Sequence, residues 1–274
     1  MFLGFLTGGQ LGTLSETLKW AEKHGFEAIS ITLPINTKFI NVDEALQNPA
    51  PIKEVIEASP VMVSAIGFYG NPIHQDQSTR KAHKEHLLKV IELTYKLEVP
   101  IVTGWIGKHP GTIEDNLREI GKEWPGILSK AEDLGLKIAI ENCPGNIMYR
   151  PDIWARVFEL LDSEALGLEF DPSHLICQLI DANEAADEFG DRIYHVHAKD
   201  AQVLWKKVRK TGITDRSWCP HRLPGWGDLD WREFFSVLWK HGYDYAISIE
   251  HEDPYFDYKT GLVLAKKFLE QLMP

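Results

Sequence analysis

The chain has 274 residues, with 29 Lys and Arg against 40 Asp and Glu for a formal net charge of −11, and that balance opposes binding to nucleic acid or to anionic membrane surfaces. Hydrophobic residues make up 44% and include nine Trp, enough for a sizeable core, which excludes a disordered chain. Cys143, Cys177 and Cys219 are odd in number and form no C-x-x-C pair, which argues against a disulfide framework or a cysteine zinc site and fits a reducing cytoplasm.

Phe2 to Leu6 reads as a first strand, too short for a signal peptide or a membrane span. Gly8, Gly9 and Gly12 follow as a turn rather than a phosphate cradle, since neither G-x-G-x-x-G nor a P-loop is present. Thr13-Leu-Ser-Glu16 is a capping-box pattern that opens a helix to His24, and Gly25 stops it. Strand two is Phe26 to Leu33, followed by a long polar loop, a short helix around Ile52 to Ala58, and strand three from Val61 to Phe68. Thr79 to Leu97 has helical periodicity, strand four is Ile101 to Gly104, and Ile113 to Leu134 is a helical pattern that Pro125 should kink or divide. Strand five (Leu136 to Glu141), a helix (Asp152 to Leu161), strand six (Leu166 to Asp171), a helix (Asp181 to Phe189) and strand seven (Ile193 to His197) come next. The stretch from Asp200 to Asp228 reads as a long loop over the site, far beyond the usual βα connection, and so functional or mobile. Its short basic run, Lys206, Lys207, Arg209 and Lys210, reads as a solvated face or as a source of one positive side chain for an anionic substrate. A helix (Asp230 to His241), strand eight (Tyr245 to Glu250) and a closing helix (Tyr258 to Leu272) complete the chain. Eight strands alternating with eight helices predict one (β/α)8 TIM barrel over residues 1–274.

Strands five to eight each end in a residue able to hold a metal: Glu141, Asp171, His197 and Glu250. Counting back by twos separates an apolar set (Ile138, Ile140, Leu168, Phe170, Val196, Ile247, Ile249) from a small or polar one (Ala139, Glu169, His195, Ser248). The four end residues share the second face, which points into the barrel, and they lie at the C-terminal rim where such barrels carry their active sites. Neighbouring strands lie about 4.8 Å apart, so the four side chains can converge on one ion. Three carboxylates and an imidazole suit Mn2+ or Mg2+ and admit Co2+ or Zn2+. A lone carboxylate at a strand end is more often a helix cap; it is the shared parity of four that points to a site. His195 is an alternative ligand but lies one layer deeper, where it fits a supporting role with Glu169.

Three more residues stand near this rim. His174 in DPSHL can reach a bound substrate or be an ordinary loop histidine, Lys199 can neutralise a developing oxyanion or pair with Asp200 at the surface, and Trp105 can floor a sugar pocket or pack in the core. Cys143 is close but has no triad-like spacing that would recommend it as a nucleophile.

IENCPG, LEFDPSHLICQLID, DRIYHVHAKD, RLPGWGDLDW and SIEHEDP, in this order, resemble motifs of the xylose isomerase-like barrels, the sugar phosphate isomerase/epimerase superfamily, and the resemblance covers essentially the whole chain. It implies that Glu141, Asp171, His197 and Glu250 bind a divalent metal, that Glu141 and Glu250 are also the acid/base pair, and that His174 contacts substrate. The implied activity is isomerisation or epimerisation of a keto-sugar or keto-polyol, phosphorylated or not, through an enediolate, with Mn2+ the first choice of metal. A lyase or dehydratase acting on a 3-keto sugar or inosose is the nearest rival. Ketose 3-epimerases of this superfamily clamp the sugar with a glutamate and an arginine where this chain has Ile147 and Val203, and HVHAKD looks more like the inosose branch. Lys199 or Arg222 is the expected replacement for the missing arginine. The AP endonucleases share the barrel but need a multi-metal cluster and a basic surface, so nucleic acid is not the expected partner. A small-molecule substrate, a cytoplasmic protein without membrane association, and a possible homo-oligomer complete the expectations.

Overall fold

The structure is a computed structural model that describes residues 1–273. Its strands are β1 (Phe2–Thr7), β2 (Ala28–Thr32), β3 (Met62–Phe68), β4 (Ile101–Gly104), β5 (Lys137–Glu141), β6 (Leu166–Phe170), β7 (Ile193–Ala198), β8 (Asp200–Ala201), β9 (His221–Arg222) and β10 (Ala246–Ile249). All except β8 and β9 are parallel and close a barrel in the order β1-β10-β7-β6-β5-β4-β3-β2. This is a TIM barrel, with strand neighbours in sequence order as right-handed crossovers require.

The expected face assignment holds. Ile138, Ile140, Leu168, Phe170, Val196, Ile247 and Ile249 are buried in the layer between sheet and helices. Inside the barrel lie Ser30, Ser64, Ala65, Thr103, Ala139, Glu169, His195, His197 and Ser248, all buried and mostly small or polar. The outer layer supplies most of the stabilisation, since each fully buried large apolar side chain contributes about 1.5–3 kcal/mol before conformational entropy is charged against it.

Around the barrel run α1 (Leu14–Lys23), α2 (Val42–Gln47), α3 (Ala50–Glu57), α4 (Gln77–Lys96), α5 (Ile113–Asp133), α6 (Pro151–Leu161), α7 (Pro172–Ile176), α8 (Ala182–Phe189), α9 (Trp205–Thr211), α10 (Trp231–Lys240) and α11 (Tyr258–Leu269). Thr13 and Glu16 form the reciprocal capping box that opens α1. Gly12 before it has φ +107, and a Cβ there would lie 2.4 Å from Glu16 Oε2, so glycine is required for the box to close. Among the described residues no helix is long and apolar enough to cross a membrane.

Three expectations need correction. The polar loop after β2 contains α2, capped by the Asn41 side chain on the backbone N–H groups of Asp43 and Glu44. Pro125 does not divide α5: Ile120, Trp124, Ile127 and Leu128 are buried on both sides of it and outweigh the lost backbone hydrogen bond. The stretch 200–228 is not without secondary structure: it holds β8, α9, a short turn at Arg216–Trp218 and β9, with β8 and β9 paired antiparallel. Asp200 is its hub, not half of a surface pair. Its buried carboxylate accepts from the backbone N–H of Ala201, Gly225 and Leu229 and from Trp231 Nε1 at 2.8–3.2 Å.

Candidate metal centre

Glu141 ends β5, and the register pairs it with Glu169 on β6, which pairs in turn with His195 on β7. His197 lies one inward step further along β7, opposite Ser248 of β10. Asp171 follows β6 and caps α7, its Oδ1 accepting from the Ser173 N–H at 2.9 Å and from Ser173 Oγ at 2.6 Å. That division leaves Oδ2 for another partner. Glu250 follows β10 at the rim.

The barrel brings all four together: one ligand atom from each of Glu141, Asp171, His197 and Glu250 lies within 4.8 Å of every other. His197 Nδ1 is 3.2 Å from Glu141 Oε1 and 3.3 Å from Glu250 Oε2. Its Nε2 is 2.9 Å from Glu169 Oε1, off the axis of a full hydrogen bond. Nδ1 therefore faces the cluster, and Glu169 stands behind the ring. His195 Nδ1 also meets Glu169 Oε1, at 2.9 Å, and Tyr69 Oη donates to Glu169 Oε2 at 2.8 Å. This is the carboxylate-behind-histidine arrangement that fixes ring orientation in metal sites.

The donor set fits a divalent cation. Asp171 Oδ2 is buried, aimed into the cluster, and makes no aligned hydrogen bond among the described residues. Burial works against charge on His197, but Glu169 and Glu250 outweigh it and hold the imidazole pKa well above its ordinary value. Burial likewise raises the Glu141 pKa, and His174 and His197 overcome it and hold the carboxyl well below the usual range. The carboxylates that raise the His197 pKa are among those a shared cation would neutralise.

Lys199 is not at the surface. It is 1% exposed, its Nζ lies 2.9 Å from Asp171 Oδ2 and 3.1 Å from Glu252 Oε2, and it also pairs with Glu250. Desolvation disfavours its charge, yet Asp171 and Glu250 win and keep its pKa well above the ordinary lysine value. His174 is nearly buried, with Nε2 3.3 Å from Asp171 Oδ2 and 3.7 Å from Glu141 Oε1. It lines a cavity of about 480 Å3 together with Cys143, Cys177, Arg216, Trp218 and His221. Trp105 donates Nε1 to Glu141 Oε2 at 2.7 Å, which orients that carboxylate. Arg222 is engaged elsewhere: Nε donates to Asp253 Oδ2 and a terminal nitrogen donates to Gln202, both at 2.9 Å, and the group stacks on Tyr255. Ile147, which the sequence resemblance sets against an epimerase clamp, is a buried core residue, and Val203 is half-buried beside α9.

Sequence reasoning missed Tyr69, Glu252 and His221. Glu252 had a signal, because it keeps the parity of Glu250; its Oε2 meets His221 Nδ1 at 2.8 Å and Lys199. Tyr69 directly follows β3, a strand with no ligand-like end, and nothing local marks it.

A model of the xylose isomerase-like TIM barrel matches residues 18–272. The chain belongs to that family. It is 27% identical over 150 residues to inosose dehydratase of Clostridium perfringens, an alignment covering 52% of this chain and 48% of that enzyme. Among solved structures, the IolI protein with a bound zinc atom superposes with a TM-score of 0.79 at 19% identity, covering 99% of this chain and 98% of that one. D-allulose 3-epimerase from Methylomonas sp. gives 0.75 at 19% identity, with coverage of 100% and 98%. At such identities the structural matches speak for the fold alone.

Proposed function

We propose that this protein is a divalent-metal-dependent isomerase or epimerase that removes the proton beside the carbonyl of a keto-sugar or keto-polyol. The observation carrying this reading is the convergence of Glu141, Asp171, His197 and Glu250, with Lys199 ion-paired into the same cluster. Those four residues would hold the cation. When bound, it supplies Lewis-acid polarisation of the substrate carbonyl and its neighbouring hydroxyl.

The remaining chemistry is assigned to side chains. Glu141 is fixed by Trp105 and His197, so its carboxylate has one orientation in which to hold or return a proton. Glu250 is the more exposed carboxylate, at 18% for its side chain, and its partner Lys199 stabilises it as the anion that a base must be. The buried Lys199 ammonium can then offset enediolate charge as it develops on substrate oxygen. His174, in the cavity wall, would donate a hydrogen bond to a substrate hydroxyl. Two carboxylates around one carbon allow removal on one face and return on the other, which is epimerisation; return to the adjacent carbon is isomerisation.

A dehydratase reading shares the first step and is favoured by the sequence match to inosose dehydratase and by apolar Ile147 and Val203 at the clamp positions. In deuterium oxide with Mn2+, a panel of ketoses, 3-keto glycosides and inososes should include at least one compound whose recovered form carries solvent deuterium. An epimer or aldose product supports the first reading, and an enone with loss of water supports the second. No metal-dependent exchange with any of them would refute both.

A further inference from the structure

We propose that Cys177 and Cys219 are a modification site: a thiol pair in the wall of the active-site cavity that closes reversibly to a disulfide. Cys177 is the C-terminal cap of α7, three residues after His174, whereas Cys219 follows the turn at Arg216–Trp218 in the ordered stretch between β8 and β9. They are 42 positions apart, yet the two Sγ atoms lie 2.6 Å from each other and Cys177 Sγ lies 3.4 Å from the Cys219 carbonyl oxygen. Both residues line the cavity that His174 enters. Three cysteines face that cavity, but Cys143 is engaged locally, its sulfur accepting the Gly145 N–H at 3.4 Å.

The pair is asymmetric in the way an exchange reaction needs. Cys177 is half-buried and reachable from the cavity, whereas Cys219 is the more buried of the two. The close Cys219 thiol, with His221 adding to it, pulls the Cys177 pKa down to about 5, while the same contact and burial push Cys219 upward. Cys177 is therefore the attacking thiolate.

The step balances with a small-molecule disulfide as oxidant. The Cys177 thiolate attacks one sulfur of that disulfide, forming a mixed disulfide and expelling one small thiolate. Cys219 then loses its proton to solvent and attacks Cys177 Sγ, expelling the second small thiolate, which takes up a proton from solvent. Two protein thiols are oxidised and one small disulfide is reduced to two thiols. The bond ties the Arg216–His221 segment to α7 directly beside His174, so the cavity wall is pinned when oxidised and released when reduced. A single missing thiol costs the lock and leaves the barrel intact.

The test uses the full chain, reduced with dithiothreitol and then exposed to graded oxidised glutathione. Intact mass should fall by the two hydrogens lost, peptide mapping should join the segments containing Cys177 and Cys219, Cys143 should remain alkylable, and dithiothreitol should reverse the change. C219S should instead trap a stable glutathione adduct on Cys177. Amide hydrogen exchange at Ser217 to Cys219 should slow on oxidation. A cross-link involving Cys143, a lasting glutathione adduct on the wild-type pair, or no cross-link at all would overturn the proposal; unchanged exchange in the cross-linked protein would overturn the pinning. None of these readouts depends on the substrate or metal, so the inference can fail while the proposed function stands, and the reverse.

Discussion

The two halves of the barrel are built to different ends. β1 to β4 turn Gly4, Ser30, Ser64, Ala65, Gly67, Thr103 and Gly104 toward close neighbours, and backbone and side chains meet there with no room to spare: a Cβ on Gly4 would lie 2.5 Å from the Ala28 carbonyl oxygen, and one on Gly104 would lie 2.4 Å from that of Phe68. β5, β7 and the ends of β6 and β10 bring Glu141, Glu169, Asp171, His195, His197 and Glu250 to the opposite wall, all buried except the partly exposed Glu250. Charge of that density is expensive to bury and needs partners. The contrast teaches that the first half is packed for shape while the second gathers charge, so under the proposed function substitutions in each should fail in different assays.

The largest effect is expected in the charged half. Glu250→Gln keeps the side-chain shape but removes a candidate base and a ligand charge, and should lower solvent-exchange turnover on any accepted substrate by about a thousandfold while the chain stays folded by circular dichroism. A turnover near wild type would move proton transfer away from this residue.

Next comes the packed half. Gly4→Ala forces a methyl against backbone that cannot yield, and should cost about 1–3 kcal/mol in urea unfolding with unchanged metal stoichiometry in the folded protein. Loss of metal without loss of stability would break the division between halves.

Tyr69 sharpens the comparison because it stands just after β3 yet serves the opposite wall. Tyr69→Phe leaves Glu169 Oε2 without its donor, and metal affinity measured by calorimetry should fall by about tenfold. The smallest effect lies outside the barrel, where Arg80 of α4 meets Glu119 and Glu123 of α5. Lys122 and Arg80 hold the Glu119 carboxyl down to about 2 from 4.5. A folded-state pKa below the unfolded one gives stability that is present above about pH 4.5 and lost as pH falls toward 2. Glu119→Gln should flatten that part of the stability curve and leave activity at neutral pH unchanged, which acid titration of the unfolding free energy would check.

The barrel was legible because strand parity is a strict period: two apolar Ile residues before Glu141, and Leu168 with Phe170 before Asp171, place each end residue without further information. The four candidate ligands were legible for the same reason. Partner choice was not. Lys199 reads as a rim lysine because nothing in HVHAKD shows Asp171 and Glu250 closing over it, and Arg222 reads as a free cation because Asp253 lies 31 residues away in sequence. The order within 200–228 depends on Asp200 collecting backbone donors from distant residues, a pattern without local periodicity. Pro125 misled because helix propensity is weak beside the burial of Trp124 and its neighbours.

The most direct measurement is the metal content of the purified chain after equilibration with Mn2+ or Zn2+ and removal of free ions, compared between wild type and Asp171→Asn. The account predicts one tightly held divalent ion per wild-type chain and a large loss of it in the variant, since Asp171 Oδ2 is the buried oxygen left over by its cap. No bound ion in the wild type, or an ion held equally well by the variant, would contradict it.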